Sequence, residues 1–311
     1  MPACFVSPHS TDIASAYEYC GHERGSSRSQ TSGCHDARRA PARTPRGVWG
    51  EIMSAYGYAV ISRSVRDVNP GMSGEFIEIV VTRLDVGPDA VRAAAELLSD
   101  GERQRATRFA FDRDRCRFVV ARSRLRQLLG ERLEVGPDAL ELAYGVRGKP
   151  ALAGRFADSD LRFNLSHCDD VAVYALSYGR EVGIDVEAVR VVPDADAIAA
   201  CMFSRAENEV YRALDARDKP VGFFNCWTRK EAFIKALGDG LSHPLDRFDV
   251  SLAPGDPPRI LRVASTTGDA CGWTLHAFPP GPGLIGAVVV QQVDRGSTFR
   301  VGGGFISGNG T

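Results

Sequence analysis

Lysine is scarce in this chain, which has four lysines beside 34 arginines. A protein that otherwise uses arginine for positive charge keeps lysine where a compact, titratable ammonium is needed. Two of the four lysines, Lys230 and Lys235, lie in one nine-residue segment with the sequence Trp-Thr-Arg-Lys-Glu-Ala-Phe-Ile-Lys at 227–235. The scarcity of lysine therefore indicates that this segment has a specific chemical role.

Other features are also missing, and each absence excludes a class of protein. The formal net charge of −1 removes any general electrostatic attraction to nucleic acid. Eight cysteines show neither zinc-ribbon nor disulfide-framework spacing, which is typical of reduced thiols in the cytosol. No apolar run approaches the ~20 residues of a membrane span, and the N-terminus has no signal-peptide pattern. We expect a cytoplasmic protein that binds neither nucleic acid nor membrane.

Carboxylates accompany the lysine-containing segment. The run Gly-Ile-Asp-Val-Glu at 183–187 resembles the end of a strand, on which alternation places Asp185 and Glu187 on the same side. The segment 227–235 predicts a helix, on which Glu231 and Lys235 lie one turn apart on a shared face. If that face meets the strand end, three carboxylates converge.

Three carboxylates in a partly buried site would repel one another, and without a cation at least one of them would be protonated at neutral pH. A hard divalent cation resolves this repulsion. The ligands are all oxygen atoms, with no histidine or cysteine at ligand spacing, which favours Mg²⁺ with several retained waters over zinc. The sequence therefore predicts Asp185, Glu187 and Glu231 as Mg²⁺ ligands. Magnesium held in this way usually also binds substrate phosphates.

Four motifs, in this order, resemble those of the 4′-phosphopantetheinyl transferases, specifically the larger Sfp type that activates peptide and polyketide synthases. They are Gly-Lys-Pro at 148–150, Phe-Asn-Leu-Ser-His at 163–167, the run at 183–187, and Trp-x-x-Lys-Glu-x-x-x-Lys at 227–235. The resemblance covers roughly residues 72–291. One motif alone is weak evidence, whereas four in the family's order are strong evidence.

The resemblance implies Mg²⁺-dependent transfer of the phosphopantetheine arm of coenzyme A to a serine of an apo acyl or peptidyl carrier protein, with release of adenosine 3′,5′-bisphosphate. The carriers would belong to fatty acid, polyketide or nonribosomal peptide synthases, the last two in secondary metabolism. Glu231 and Lys235 would be catalytic, with Lys235 neutralising charge on the cleaved phosphate or the leaving group. Glu231 is the proposed base. A carboxylate on Mg²⁺ is a poor proton acceptor, so relay through water is the alternative.

The resemblance also implies a set of coenzyme A contacts: Arg103, Arg105, Lys149, Ser166, His167 and Lys230. Ser166 and His167 would form a turn, with His167 near the 3′-phosphate. Nine arginines lie between Arg103 and Arg126. They could form a solvated helix face, or some could reach coenzyme A or an acidic carrier helix, and Arg126 is expected to point most consistently.

The predicted fold class is α+β, with two similar halves that each pack helices on a small antiparallel sheet and an active site in the cleft between them. Residues 1–71 are expected to be a mostly disordered extension, with Met72 as the functional start, and 294–311 a flexible tail. The halves are 72–181 and 182–293.

Predicted helices cover 114–130, 204–216 and 221–237. The second begins with a capping box of Ser204 and Glu207, and the last ends at Gly238. Predicted strands cover 76–84, 139–144, 161–165, 171–177, 184–186, 246–252, 259–264, 272–278 and 284–291. One chain would complete the site, so we expect a monomer.

Two other functions use the same residue types. A Mg²⁺-dependent phosphodiesterase or nuclease also builds its site from carboxylates and a lysine, and it would hydrolyse coenzyme A without a carrier. A non-catalytic module that binds coenzyme A or a carrier would show degraded metal ligands, but all three carboxylates are present.

Overall fold

The computed structural model describes residues 50–53, 59–66, 76–145, 148–238, 244–263 and 272–292, with side chains described from Ile77 onward. The strands are β1 (Gly50–Met53), β2 (Ala59–Arg66), β3 (Phe76–Arg83), β4 (Leu142–Tyr144), β5 (Pro150–Leu152), β6 (Leu161–Cys168), β7 (Val171–Tyr178), β8 (Val182–Ala188), β9 (Phe248–Val250), β10 (Ile260–Val263), β11 (Trp273–Phe278) and β12 (Leu284–Gln291). The α-helices are α1 (Pro88–Glu96), α2 (Asp100–Ala106), α3 (Asp112–Leu133), α4 (Ala195–Met202), α5 (Arg205–Ala213) and α6 (Lys219–Leu237), and short 3₁₀ turns occupy Pro137–Ala139, Gly154–Phe156 and Leu245–Arg247.

The strands form small antiparallel sheets. One sheet has the order β1-β2-β3-β7-β6, a second has the order β11-β12-β8, and β4-β5 and β9-β10 are two-stranded. Helices α1 to α3 belong to the first half and α4 to α6 to the second. The predicted α+β class with two halves is confirmed. None of the described helices is long and apolar enough to span a bilayer.

In the first half, α3 packs on one face of β3, β6 and β7. Phe118, Leu125 and Leu128 of α3 pack with Tyr174 of β7. The Tyr174 hydroxyl donates a hydrogen bond to the backbone carbonyl of Ala121 at 2.8 Å, which satisfies its polar end inside this core.

The second half is built around α6, which is buried along most of its length. Trp227 stacks on Phe223 with ring centroids 6.1 Å apart, and Phe233 packs on Phe248 at 4.8 Å. The aromatic residues of the motif helix are therefore core residues.

A third apolar cluster joins the two halves. Ile79 of β3 and Val173 of β7 meet Ile184 of β8 and Val288 of β12, and all four side chains are buried. Burial of apolar side chains is the main stabilising term in folding, so the two halves share a core.

Gly183, the glycine of the 183–187 run, lies where α6 crosses β8. A Cβ atom placed there would lie 2.1 Å from the carbonyl oxygen of Ala232 and 2.3 Å from the amide nitrogen of Ala236. Only glycine permits this approach of helix backbone to strand. The close crossing brings the helix that carries Glu231 and Lys235 onto the strand that carries Asp185.

Most predicted elements are present, with shifted ends. The helices predicted at 114–130 and 221–237 correspond to α3 and α6, which are both longer than predicted. The helix predicted at 204–216 corresponds to α5, and its capping box between Ser204 and Glu207 is confirmed. Gly238 ends α6 with a φ of 79°. The strand predicted at 139–144 covers only Leu142–Tyr144, because a 3₁₀ turn occupies Pro137–Ala139.

Strands β1 and β2 lie inside the 1–71 segment that the sequence predicted to be mostly disordered. Strand β2 pairs with β3 through residues up to Arg66, so its hydrogen-bonding partner comes from the following segment. Composition, on which the prediction rested, contains no information about such pairing. Residues 1–49 and the tail at 294–311 lie outside the described residues.

Candidate active site

Three side chains from both halves meet at the junction of β6, β8 and α6. The Lys235 ammonium lies 2.7 Å from Asp185 Oδ1 and 3.1 Å from Ser166 Oγ. The Ser166 hydroxyl donates to the same Asp185 oxygen at 2.8 Å. All three side chains are buried, where a hydrogen-bonded ion pair is held more strongly than in water. The strand, the helix and the motif of Ser166 therefore meet at one place, through Asp185 and Lys235 rather than through the three predicted carboxylates.

Asn164 fixes the position of this junction. Its buried side-chain oxygen accepts a hydrogen bond from the amide of Ile184 at 2.9 Å, which ties β6 to β8 one residue before Asp185. The sequence did not single out Asn164, although it belongs to the 163–167 motif. The missing information was the packing of β6 beside β8, which lie in different sheets and different halves.

The other two predicted metal ligands are also buried nearby in the fold. Glu187 lies two residues after Asp185 on β8, and Arg190 Nη1 lies 3.4 Å from its Oε2. Glu231 lies on α6 with 0% exposure. Arg190, which the sequence did not single out, could have been suggested by its place three residues after Glu187.

The carboxylate oxygens of Asp185, Glu187 and Glu231 are hard ligands, which suit a hard cation such as Mg²⁺. Asp185 Oδ2 is buried and has no hydrogen-bond partner within the described residues, so a ligand position is left for a cation. Throughout the described ranges, no three His, Cys, Asp or Glu side chains are already grouped as a metal cage. Asp185 and Glu187 are instead paired with Lys235 and Arg190, and these ion pairs balance part of the carboxylate charge.

His167 lies on β6 beside this cluster. Burial, together with the positive charge of Lys235, lowers the pKa of His167 to about 4. The imidazole is therefore neutral at pH 7. The predicted turn at Ser166 and His167 is wrong, because both residues pair with β7 inside β6 and the chain turns only at the following Asp169, which has a φ of 50°.

A second group of cations lies on the first half. Arg105 and Arg122 both lie over the Phe118 ring, at 5.3 and 5.6 Å from its centroid. Burial and the charge of Arg122 lower the pKa of Arg105. The Nη1 atom of Arg122 is buried without a hydrogen-bond partner among the residues described, and its charge also acts on His167. This arrangement favours an anion next to His167, and Arg122 is a further residue that the sequence did not single out.

The side chain of Lys149 contacts the junction through the backbone carbonyls of α6 and β8. Its ammonium donates to the carbonyl of Lys235 at 2.8 Å and to that of Val182 at 3.4 Å, and Glu181 lies 3.6 Å away. Burial lowers the pKa of Lys149. The residue thus holds the end of α6 against the start of β8.

Three other predicted contacts do not reach this junction. Arg103 bonds to the carbonyl of Leu98 and, at 2.7 Å, to Asp100 beside it. Arg126 was expected to point most consistently among the nine arginines, but it is buried in an ion pair with Glu102 at 2.6 Å. Lys230 is buried on another side of α6, in contact with Glu207 at 2.8 Å. In both cases the partner is a buried carboxylate that lies far away in sequence.

The arrangement combines buried carboxylates, an ammonium and nearby guanidinium groups where the two halves meet. Such a site can neutralise charge that develops on phosphate oxygens, and its carboxylates provide hard oxygen ligands. These are the kinds of group that enzymes use for transfer at a phosphate.

Comparison with known proteins agrees with that class. The family model described as "4'-phosphopantetheinyl transferase superfamily" matches residues 181–282, and the one described as "4'-phosphopantetheinyl transferase, N-terminal" matches 87–178. The chain is 38% identical over 207 residues to the 4′-phosphopantetheinyl transferase HetI of Nostoc sp.. The aligned region covers 67% of this chain and 84% of that relative. It is 35% identical over 167 residues to a 4′-phosphopantetheinyl transferase of Bacillus subtilis, over 50% of this chain and 72% of that relative. It is also 31% identical over 169 residues to the L-aminoadipate-semialdehyde dehydrogenase-phosphopantetheinyl transferase of Homo sapiens, over 52% of this chain and 55% of that relative.

The chain therefore belongs to the 4′-phosphopantetheinyl transferase superfamily. It is a transferase that takes phosphopantetheine from coenzyme A to carrier proteins. The phosphodiesterase and binding-module alternatives find no support among these relatives.

Proposed function

We propose that this enzyme transfers the phosphopantetheine arm to a carrier serine in a Mg²⁺-dependent reaction that releases adenosine 3′,5′-bisphosphate. The observation that carries the proposal is the triangle of Ser166, Asp185 and Lys235, with Glu187 and Glu231 buried on the same two elements. Substrates would be acyl and peptidyl carriers of fatty acid, polyketide or nonribosomal peptide synthases, as in the Sfp type. One chain contains all the proposed residues, so the working form is a monomer.

Asp185, Glu187 and Glu231 are the residues that would hold Mg²⁺. Asp185 Oδ2 is the atom that favours this assignment, since it is buried and has no hydrogen-bond partner within the described part of the chain. When bound, Mg²⁺ would supply positive charge to the pyrophosphate of coenzyme A. Lys235 and Arg190 now balance this carboxylate charge in part, and Lys235 would become available to a phosphate oxygen.

The bond changes are those of substitution at phosphorus. The carrier serine oxygen bonds to the phosphorus that bears the pantetheine arm, and the bond from that phosphorus to the bridging oxygen breaks. Lys235 stabilises the charge that develops on the departing adenosine 3′,5′-bisphosphate. The serine proton goes to Glu231 or to water, and the site's main contributions are positioning and electrostatics.

Coenzyme A would be held by residues of the first half. Ser166 can donate to a phosphate oxygen, and the neutral His167 with Arg105 and Arg122 would face the 3′-phosphate. Two observations favour this placement. The positive charge of Arg122 acts on His167, and Arg122 Nη1 has no hydrogen-bond partner among the described residues. Lys149 would act beside them by holding the end of α6.

The test is transfer to an apo carrier protein, followed by intact mass spectrometry. We expect the carrier to gain one phosphopantetheine in the presence of Mg²⁺, no gain with EDTA, and a rate at least about 100-fold lower for Glu231→Ala. The matched control is Glu209→Ala, because Glu209 is an exposed glutamate that pairs with Arg205 on the surface of α5. Transfer that continues in EDTA would contradict the Mg²⁺ proposal, and hydrolysis of coenzyme A without a carrier would contradict the proposed acceptor.

A further inference from the structure

Lys230 precedes Glu231 on α6 but faces another part of the protein. Its ammonium donates to the carbonyl oxygens of Leu245 and Phe248, each at 2.6 Å, and lies 2.8 Å from Glu207 Oε2. An ammonium has three N–H donors, and three acceptors surround this one. The side chain is 1% exposed, so no donor remains for a substrate.

Glu207 extends these contacts to two more elements. Its Oε2 accepts the amide of Ser204 at 2.8 Å in the capping box of α5, and its Oε1 accepts the amide of Val250 on β9 at 2.7 Å. Lys230 therefore connects α6 at one point to the start of α5, to the 3₁₀ turn Leu245–Arg247 and to β9.

Directional contacts act together with the Gly183 crossing to define the rotation of α6 about its axis. Every residue from Gly222 to Ala236 is buried, so the helix has no solvent-exposed face over this length to orient it. A buried ion pair is weak evidence for stability, but in some proteins such a pair selects one arrangement among several.

The geometry of a helix places Lys230 on a different face of α6 from Glu231 and Lys235. Successive residues are about 100° apart, so Lys230 points about 100° away from Glu231 and about 140° away from Lys235. Lys235 is held by Asp185 and Ser166, and Lys230 is held by Glu207 and two carbonyls. The helix is thus held from two sides.

We propose that Lys230 is a positioning residue, which sets the rotation of α6 so that Glu231 and Lys235 face Asp185. This rests on the proposed function, in which these three residues hold Mg²⁺ and neutralise phosphate charge. At the ~6 Å radius of a helix with side chains, a rotation of about 10° displaces a side-chain atom by about 1 Å. A displacement of about 1 Å can cost about 100-fold in rate.

The test uses two variants of the full chain that alter this contact in different ways. Lys230→Arg keeps the charge opposite Glu207, but a planar guanidinium cannot place one nitrogen among the same three acceptors. The double variant Glu207→Gln with Lys230→Met removes both charges and leaves neither one buried without a partner. The control is Asn208→Ala, which removes a buried amide that donates to the carbonyls of residues 199, 203 and 204, none of which lies on α6.

Two quantities separate positioning from general loosening. The first is the affinity for Mn²⁺ with saturating coenzyme A, measured from the electron paramagnetic resonance signal of the free ion. The second is the division of the kinetic effect between kcat and KM for coenzyme A, at a temperature well below every melting point.

We expect each Lys230 variant to weaken Mn²⁺ binding about fivefold or more and to lower kcat about tenfold or more, with little change in KM. Asn208→Ala should lower the melting temperature but leave both quantities within about twofold.

Folded Lys230 variants with unchanged Mn²⁺ affinity and kcat would overturn the proposal, as would an equal loss in Asn208→Ala. If one variant does not fold, the other decides by the same criteria. If the wild-type chain binds Mn²⁺ but transfers nothing, the proposed function fails, while the Mn²⁺ comparison still decides the role of Lys230.

Discussion

At the scale of single residues, the cation of the site is Lys235. Its ammonium is held by Asp185 and Ser166 at 2.7 and 3.1 Å, so it is already oriented before substrate arrives. A preorganised charge of this kind lowers the barrier because it need not reorient during the reaction.

We expect Lys235→Met to lower kcat by about 100-fold to 1,000-fold, the usual cost of removing one preorganised group from such a site. Steady-state transfer to an apo carrier measures this effect. Lys219→Met is the matched control, because Lys219 begins the same helix but pairs with Asp196 at the surface. A Lys235→Met enzyme within tenfold of wild type would show that this ammonium does not act on the phosphate.

His167 provides a prediction about pH. Its pKa is lowered from 6.5 to about 4, first by burial and then by the charge of Lys235. Between about pH 6.5 and 4 the unfolded chain binds more protons at this histidine than the folded chain does, so its contribution to the free energy of unfolding falls as the pH falls through that window. Urea unfolding at pH 7 and pH 5 should show a smaller loss of stability in His167→Gln than in wild type. Equal losses in the two proteins would contradict the assignment.

The same histidine should respond to substrate. A phosphate beside the imidazole favours the charged form, so bound coenzyme A should raise the pKa of His167. Titration of the His167 imidazole by NMR, assigned with His167→Gln, measures the shift. No change in pKa on saturation with coenzyme A would place the 3′-phosphate elsewhere.

At the scale of elements, the crossing of α6 over β8 forms the site. Gly183 permits it, because a Cβ atom would lie 2.1 Å from the carbonyl oxygen of Ala232. The contacting atoms are helix backbone, which cannot turn aside as a side chain can.

We therefore expect Gly183→Ala to push α6 away from β8, to destabilise the fold by about 1–3 kcal/mol as overpacking does, and to lower transfer more than about 100-fold. Urea denaturation and the transfer assay measure the two effects. Gly101→Ala is the control, since nothing lies within 4 Å of a Cβ atom at that helical position. It should be neutral or slightly stabilising. A Gly183→Ala enzyme with wild-type stability would mean that the two elements separate without cost.

The elements that carry the proposed site residues could be predicted from the sequence, because they depend on local spacing. Asp185 and Glu187 on a strand, and Glu231 and Lys235 on a helix, follow from the periods of those elements. The partners of Lys149, Lys230 and Arg126 could not be predicted, because buried carbonyls and distant carboxylates satisfy them. Strands β1 and β2 were missed for a related reason, since the edge they pair with is formed by a later segment.

At the scale of the whole molecule, the two halves share one apolar core. Ile79 and Val173 of one half pack against Ile184 and Val288 of the other, and Asn164 ties the two sheets together. The site lies on this shared structure, so opening the halves would dismantle it.

We expect one cooperative unfolding transition, because the shared core couples the halves. Two of the three tryptophans, Trp227 and Trp273, lie in the second half, so tryptophan fluorescence reports mainly on that half, whereas far-ultraviolet circular dichroism reports on both. The two urea curves should coincide. Separate midpoints would contradict a shared core.

The central claim is that the junction of Ser166, Asp185 and Lys235 receives the pyrophosphate of coenzyme A together with Mg²⁺. A crystal structure of the enzyme with coenzyme A and Mg²⁺ tests it most directly. We predict the ion on carboxylates of Asp185, Glu187 and Glu231, with a pyrophosphate oxygen on Lys235. A pyrophosphate bound away from α6 and β8, or an ion that contacts none of these carboxylates, would contradict it.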